Sequence, residues 1–345
     1  MPETTPQTTH GLALREGGFA RGPVPQVPHD LSPFLEWREI ALPPLQSGQV
    51  LIEVIMAPVN PSDLFFVQGG YGQPRISGNP AGFEGVGRVI AAEGSAATPL
   101  LGRRVAFLGT VTGSWTRHAI SDAALCIPLR DDLKDADGAA LIVNPLTAIA
   151  LLDEVRAQKG NAFILNAAGS QLGRLILGLA QDEGLDALAV IRRADMAEEL
   201  QALGAAEVLV STAADFPARS QAALRAHKPR VLLDAVGDQG AADLFFAMPA
   251  GARWISYGKM SDDAPSLTQM GQFIFMDKRI EGFWLSRWLP AASAERRAAV
   301  VAQVQDRFAT GRWHTRIAAQ LPLDRALDAI LPALQGGEGK VMLCP

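Results

Sequence analysis

From about residue 144 onward, short apolar runs alternate with helical stretches, and this rhythm limits the possible fold more than any other feature of the sequence. Helices are predicted over 172–181, 196–203 and about 291–308. The apolar runs that predict strands cover residues 162–166, 187–191, 207–210, 230–234, 253–257 and 280–284. Such strands, alternating with helices, are typical of a parallel sheet covered on both sides. The sequence therefore predicts an α/β fold with a doubly wound parallel sheet.

The part of the chain before residue 144 has a different pattern of predicted secondary structure. Short β-rich runs over 50–59, 82–90 and 103–107 are separated by glycines and turn signals. Residues 1–30 hold five prolines and are predicted to form a loose segment. Residues 339–343 predict a last strand that rejoins this region. We therefore expect a compact, irregular β-rich domain beside the parallel sheet.

Composition and charge exclude several classes of protein. Hydrophobic residues make up 48% and charged residues 19% of the chain, which is unlike a disordered protein. The net charge of −5 leaves no basic field for nucleic acid, so no nucleic-acid partner is expected. Two cysteines build no disulfide framework and suit a reducing compartment. Neither a secretory signal pattern nor an apolar run of the ~18 residues that a membrane span needs is found. A cytoplasmic protein without membrane association is expected.

A glycine-containing turn follows the first predicted strand of the alternating region. Gly169, Ser170, Gln171, Leu172 and Gly173 lead from that strand into a helix, where backbone N–H groups suit a pyrophosphate. The turn departs from the dinucleotide pattern G-x-G-x-x-G, since alanine and serine replace its first two glycines. An ordinary strand–turn–helix connection is the alternative, which the alternating context disfavours.

The second strand of the alternating region ends at Arg192 and Arg193. A carboxylate that binds the ribose 2′-hydroxyl of NAD usually stands about 20 residues beyond the turn, and at this place the chain has arginine instead. A guanidinium instead matches the geometry of a 2′-phosphate. The arginines therefore favour NADPH over NADH, with a solvated strand end as the alternative.

Four stretches together resemble one enzyme family over almost the full chain. They are V-N-P-S-D at 59–63 with Q-G-G-Y at 68–71, V-N-P-L-T-A at 143–148, Y-G-K-M at 257–260 and F-W-L-S-R-W at 283–288. With these motifs the chain resembles the medium-chain dehydrogenase/reductase superfamily, and within it the zinc-independent quinone oxidoreductase and 2-enoyl thioester reductase branch. The resemblance implies a GroES-like substrate domain, residues 1–143 and 312–345, around a Rossmann domain, residues 144–311. It also implies an active site in the cleft and a homodimer joined near residues 279–284.

The expected site contains no metal. In zinc-using relatives, ligands stand near the positions of Asn60 and Phe83, and neither residue binds zinc here. Two cysteines are too few for the four-cysteine structural site, and the five histidines lack ligand spacing.

Without a metal, the substrate carbonyl needs a hydrogen-bond donor when hydride reaches a conjugated double bond, because charge develops on its oxygen. Tyr71 is the candidate catalytic residue, since it matches the position where enoyl reductases place their tyrosine. Packing of an aromatic ring in a turn is the alternative. The sequence leaves open whether its phenol gives the proton or only orients the substrate.

The resemblance also implies coenzyme contacts, for each of which simple packing is the alternative. Near the nicotinamide it places Asn60, Asn144 and Thr147. The pyrophosphate and 2′-phosphate contacts are those already described. Along the coenzyme channel it places Tyr257, Gly258, Lys259, Met260, Phe283, Trp284, Leu285, Ser286 and Lys340.

Three functions fit these predictions. The first is an NADPH-dependent reductase of 2-enoyl thioesters of coenzyme A or acyl carrier protein. The second is an NADPH:quinone oxidoreductase or an alkenal/enone reductase, and the third is a non-catalytic NADPH-binding protein. Lys278 and Arg287 are candidate contacts for the phosphates of a thioester carrier, but solvated side chains are the favoured interpretation.

Overall fold

The computed structural model describes residues 5–158 and 160–345, and residues 1–4 of the predicted substrate domain lie outside the described part. Its strands are β1 (Thr8–Leu14), β2 (Leu35–Ala41), β3 (Gln49–Val59), β4 (Glu84–Ala92), β5 (Arg104–Leu108), β6 (His118–Asp122), β7 (Cys126–Pro128), β8 (Ala162–Leu165), β9 (Asp186–Ile191), β10 (Ala205–Val210), β11 (Val231–Asp234), β12 (Arg253–Ser256), β13 (Arg279–Gly282), β14 (Ile317–Pro322) and β15 (Lys340–Cys344). Its α-helices are α1 (Pro61–Val67), α2 (Asp135–Ala139), α3 (Val143–Arg156), α4 (Gln171–Asp182), α5 (Ala197–Ala202), α6 (Phe216–His227), α7 (Gln239–Ala247), α8 (Gly271–Phe275), α9 (Leu285–Ala291), α10 (Ala294–Ala309) and α11 (Ala326–Gln335).

The chain divides into two units. The first takes the chain up to Val143 together with Val301–Pro345, and the second is Asn144–Val300. The second boundary falls inside helix α10, whereas the predicted boundary lies after this helix, at residue 312. The difference arises because one continuous helix serves both units, and no local sequence signal marks a division within it.

Strand β3 organises the β-rich first unit. It pairs antiparallel with β4, with β6 and with the C-terminal strand β15, in a sheet of order β14-β15-β3-β4-β5-β7. Buried and exposed positions do not alternate regularly along β3, because both of its faces are covered over much of its length. The last residues of the chain thus return to the strand that precedes residue 60.

The described residues of the second unit contain a six-stranded sheet with helices around it. Its order is β10-β9-β8-β11-β12-β13, and every neighbouring pair is parallel. Ala223 of α6 and Phe245 of α7 pack against Leu188, Leu232 and Trp254 of the strands. Because the chain passes from β8 outward to β10 and then crosses to β11, the strand order reverses between β8 and β11.

The structure differs from the local predictions at three places. Part of the first 30 residues, predicted as loose, forms β1, which pairs along its whole length with β2. The strand predicted to reach Trp284 ends at Gly282, and Trp284 instead precedes α9. The helix predicted from about residue 291 to 308 is α10, and the short helix α9 before it, which contains Pro290 and stops at Ala291, was not predicted.

Lys278 was expected in solvent, and this interpretation is wrong. Its side chain is buried, and Nζ donates to the carbonyl oxygens of Phe245 (2.8 Å) and Phe246 (2.9 Å) near the end of α7. A cation at the carboxyl end of a helix is favourable, and a lone lysine in a sequence gives no sign of such a contact.

None of the helices in the described residues is long and apolar enough to cross a membrane.

Candidate active site

A buried polar network surrounds Asn60 at the end of β3. Pro61 cannot extend the strand and starts helix α1, with Asn60 immediately before it. Val341 of β15 pairs with Val59, so the next pair along this antiparallel register brings Lys340 beside Asn60. Both side chains are buried, and Lys340 Nζ donates to Asn60 Oδ1. Two predicted coenzyme residues from opposite ends of the chain are therefore in direct contact.

Two buried carboxyl groups, neither of them among the predicted site residues, complete this network. Glu84 Oε1 accepts from Asn60 Nδ2 (3.0 Å), and Oε2 accepts from the backbone N–H groups of Ile142 (3.1 Å) and Val143 (2.8 Å). Asp63 Oδ2 accepts from the backbone N–H of Asn60 at 2.7 Å. The available sequence signal was the acidic residue that follows Phe83 in an otherwise apolar run.

Burial dominates the electrostatics of these groups. It raises the pKa of Asp63 to about 7, with repulsion from Glu84 adding to the effect and Lys340 opposing it. Burial likewise raises the pKa of Glu84 and lowers the pKa of Lys340, while attraction between the two opposes both shifts. Two carboxyl groups and one amine thus share a desolvated site, in which the charge of each group depends on the others.

Tyr71 lies in an aromatic cluster that the same network supports. Its ring centroid is 4.9 Å from that of Phe83, which is 5.0 Å from that of Phe66. The backbone N–H of Phe83 donates to Asp63 Oδ1 at 2.8 Å, so Asp63 ties the cluster to Asn60. The predicted catalytic tyrosine and the predicted coenzyme residue Asn60 are therefore connected through Phe83 and Asp63.

A small cavity of about 80 Å³ lies beside Phe83 in the first unit. Apolar side chains on its walls include Leu14, Phe66, Pro74, Ile76, Phe83 and Val111. The amide of Asn79, also on its wall, donates to the carbonyl of Val111 (3.0 Å). The cavity can therefore receive the apolar end of a small substrate next to the Tyr71 cluster.

In the second unit, the predicted phosphate loop is a helix N-terminus. Ser170 precedes α4, and its Oγ accepts from the backbone N–H of Gly173 at 3.0 Å. A Cβ at Gly173 would lie 2.4 Å from the Ala168 carbonyl oxygen, so glycine is required for this close packing. Gly169, Ser170, Gln171 and Leu172 are half-buried. The turn matches the prediction in shape, although two glycines of the usual pattern are absent.

Asn166 and Asp234 join the carboxyl ends of β8 and β11, where the strand order reverses. Asn166 Nδ2 donates to Asp234 Oδ1, and Asn166 Oδ1 accepts from the backbone N–H of Ala235 at 2.8 Å. Asp234 Oδ2 accepts from Trp254 Nε1 of β12 at 2.7 Å. Sequence reasoning treated these residues as strand ends only, although an acid that closes an apolar strand was a usable signal. Open parallel sheets bind ligands at this reversal.

The remaining predicted coenzyme residues of the second unit follow the carboxyl ends of parallel strands or lie on α3. Arg192 and Arg193 follow β9 and are exposed, and Arg193 Nε is 3.3 Å from Asp195 Oδ1. Asn144 and Thr147 lie one turn apart on α3, half-buried and buried. After β12 stand half-buried Tyr257 and Gly258 and exposed Lys259 and Met260; after β13 stand half-buried Phe283, Trp284 and Leu285 and exposed Ser286.

The Tyr257 hydroxyl is buried and has no hydrogen-bond partner among residues 5–158 and 160–345. Burial, with the nearby Asp234 charge, raises the pKa of this phenol, so it stays a neutral donor. Over the same residues, no group of three or more His, Cys, Asp or Glu side chains is arranged to hold a metal ion.

Comparison with known proteins identifies the family. Residues 46–131 match the alcohol dehydrogenase GroES-like domain. The mitochondrial enoyl-(acyl-carrier-protein) reductase of Rattus norvegicus is 31% identical over 268 residues, which cover 75% of this chain and 70% of that protein. The chain belongs to the medium-chain dehydrogenase/reductase superfamily. The predicted family and its branch are thereby confirmed.

Two solved structures of this superfamily have the same fold. A Mesorhizobium loti protein, provisionally assigned as an NADPH:quinone reductase, is 43% identical, with a TM-score of 0.94 over 99% of this chain and 100% of that one. The Candida tropicalis mitochondrial 2-enoyl thioester reductase Etr1p/Etr2p heterodimer is 19% identical, with a TM-score of 0.79 over 98% and 100% of the chains. The predicted α/β fold, a GroES-like unit with a Rossmann parallel sheet, is confirmed, and the chain is an oxidoreductase of this superfamily.

Proposed function

We propose that this oxidoreductase uses NADPH to reduce a carbon–carbon double bond conjugated to a carbonyl group, with a 2-enoyl thioester as the preferred substrate. The observation that carries the proposal is the placement of Tyr71. Its ring lies against Phe83, which also forms a wall of the small cavity. A phenol donor close to a cavity with both apolar and polar walls fits an α,β-unsaturated acyl group.

The residues at the carboxyl edge of the parallel sheet fit a dinucleotide. The first turn of α4 directs backbone N–H groups outward, as a pyrophosphate requires. Arg192 and Arg193 offer planar donors for a 2′-phosphate, and the buried Tyr257 hydroxyl offers a donor that no described residue of the chain accepts from. When bound, the reduced dinucleotide supplies the hydride.

Tyr71 and the buried network then have separate tasks in the proposed reaction. The phenol of Tyr71 donates a hydrogen bond to the substrate carbonyl and stabilises the negative charge that develops on its oxygen. The α-carbon takes a proton from this phenol or from water that it orients. Asp63 and Glu84 keep Asn60 and Phe83 in place through the hydrogen bonds described above, so the donor faces a fixed pocket.

Quinone or enone reduction is the second candidate. It is favoured by the 43% identity to the Mesorhizobium loti protein with that assignment. Because both reactions need the same coenzyme and an activated carbonyl, the substrate distinguishes them, and fold alone does not.

The test is NADPH oxidation with crotonyl-coenzyme A, a simple enone and a benzoquinone, run on the wild type and on Tyr71→Phe. For the thioester we expect Tyr71→Phe to lower kcat by about 10²- to 10³-fold, as loss of an oxyanion donor does. NADPH binding, followed by its fluorescence, should be unchanged and serves as the control for folding.

The other outcomes are equally specific. Quinone turnover that survives Tyr71→Phe, with no thioester turnover in the wild type, would replace the first candidate by the second. NADPH binding without turnover of any acceptor would favour the non-catalytic alternative.

A further inference from the structure

The loop that carries Tyr71 is bound to a segment near the start of the chain, residues 16–25, which we call the strap. Gly18 N–H donates to the Arg75 carbonyl (2.9 Å), and Arg75 N–H donates to the Gly18 carbonyl (3.2 Å). Ala20 N–H donates to the Gly69 carbonyl at 2.9 Å. Gln68 Nε2 donates to the Pro25 carbonyl at 2.9 Å. Backbone and side-chain bonds thus fasten the loop on both sides of Tyr71.

Arg75 is the centre of this attachment. Its side chain is 3% exposed, and its Nη2 lies 3.6 Å from Glu16 Oε2. Nη1 donates to the carbonyl of Val67, the last residue of α1 (3.0 Å), and Nε donates to the carbonyl of Gly18 (3.1 Å). One buried guanidinium therefore connects the strap, the Tyr71 loop and the carboxyl end of α1. Burial of a cation costs free energy because it loses its water, so a buried guanidinium needs hydrogen-bond and charged partners such as these.

Two consecutive glycines allow the strap to approach the loop closely. A Cβ at Gly69, where φ is +82°, would lie 2.6 Å from the backbone nitrogen of Ala20. A Cβ at Gly70 would lie 2.4 Å from Val24 Cγ2 and 2.7 Å from the Phe65 ring. The contact surface has no space for a side chain at either position. Small shifts of the strap must therefore move the residue that follows Gly70, which is Tyr71.

We propose that Arg75 and the strap are positioning elements for Tyr71. The strap and Arg75 hold the loop from one side while Phe83 packs against the Tyr71 ring from the other, so the phenol keeps one direction. The inference rests on the proposed function, in which Tyr71 donates to the substrate carbonyl. A donor displaced by about 1 Å loses much of its effect on the chemical step.

A double-mutant cycle tests this role, with NADPH and crotonyl-coenzyme A as the assay. Arg75→Met should lower kcat by about 10- to 100-fold with little change in KM, because the donor and not the binding surface is disturbed. In the Tyr71→Phe background, the same substitution should lower kcat by less than about twofold, since the group that it positions is gone. Arg75→Lys, which keeps the charge and part of the bonding, should recover part of the activity. Additive losses would overturn the proposal.

A second variant moves the strap without removing a charge. Gly70→Ala should press on Val24, lower kcat as Arg75→Met does, and speed tryptic cleavage after Arg21 in the strap. Gly22→Ala is the matched control, because a Cβ there meets nothing within 4 Å. Loss of activity in Tyr71→Phe with full activity in Arg75→Met and Gly70→Ala would overturn the positioning role alone. Full activity in Tyr71→Phe would instead overturn the proposed function of Tyr71.

Discussion

The Lys340 ammonium donates a hydrogen bond to the side-chain carbonyl of Asn60, a residue 280 positions earlier in the chain. This contact exists because β15 pairs antiparallel with β3, so the residue before Val341 meets the residue after Val59. Glu84 accepts from the same Asn60 side chain. The ammonium thus offsets buried negative charge through a single amide.

Replacement of Lys340 by methionine should destabilise the protein strongly. The substitution removes the nearby cation that opposes the rise in pKa of the buried Glu84 and Asp63 carboxyl groups, and a buried charge left without its counter-charge costs about 3–5 kcal/mol. Urea unfolding followed by tryptophan fluorescence measures the loss. Lys134→Met, at an exposed lysine, is the matched control and should leave stability within ~0.5 kcal/mol.

The same variant should be rescued in part by Glu84→Gln. A neutral amide at position 84 needs no cation, and Asn60 can turn its own amide to accept from it. We expect the double variant to regain at least about 1 kcal/mol. Unchanged stability of Lys340→Met, or a double variant less stable than the single one, would contradict this account of the network.

Arg192 and Arg193 should set the coenzyme preference. Replacing both by alanine removes two planar donors, each worth about 1.5–3 kcal/mol with a charged partner. We expect NADPH affinity to fall by about 10²- to 10⁴-fold and NADH affinity by less than about threefold. Titration of coenzyme fluorescence measures both. Arg225→Ala with Lys228→Ala removes two other exposed cations of the second unit and should change neither. An equal loss for both coenzymes would remove these arginines from the specificity site.

Lys278 should make stability depend on pH in the alkaline range. Burial lowers its pKa to about 8, against an ordinary value of 10.5. Between these values the folded protein has lost the proton that the unfolded chain still holds, so stability rises with pH there. The neutral amine still donates to the Phe245 and Phe246 carbonyls.

The free energy of unfolding of the wild type, minus that of Lys278→Met, should therefore increase from pH 8 to pH 10. Its slope should approach ~1.4 kcal/mol per pH unit, the value for one proton. Lys259→Met, at an exposed lysine, should show no such slope relative to the wild type. A flat or falling difference for Lys278→Met would mean that the folded protein keeps this amine charged.

Strand β13 should pair with a second copy of the chain. It is the outermost strand of the parallel sheet, Ile280 on it is 40% exposed, and nearby Phe275 is 85% exposed. Exposed apolar strand edges favour pairing. A twofold axis at Ile280 would set Arg279 opposite Glu281 of the other copy, an attractive pair.

Light scattering at micromolar concentration should therefore give the mass of a dimer for the wild type and of a monomer for Ile280→Lys. Ile317→Lys is the control, because Ile317 is 38% exposed on the edge strand β14 of the other unit. A monomeric wild type would refute the dimer.

Local pattern alone predicted the parallel unit. The strands β8, β9 and β11 and the helix α4 fall within a few residues of the predicted bounds, since buried parallel strands need continuous apolar runs wherever they pair. The turn at Gly169–Gly173 was found for the same reason, because its shape depends on neighbouring residues. Errors occurred where no local signal exists, as at Lys278, whose hydrogen-bond acceptors belong to the distant helix α7.

By itself, then, the sequence determined the secondary structure of the parallel unit, the turn before α4 and the resemblance that identified the family. Only the tertiary structure decided that Lys340 meets Asn60, that Asn166 meets Asp234, and that Arg75 fastens the strap to the Tyr71 loop. Those contacts depend on strand register and on chain segments far apart in sequence. A polar residue viewed alone does not reveal whether water or a distant partner will satisfy it.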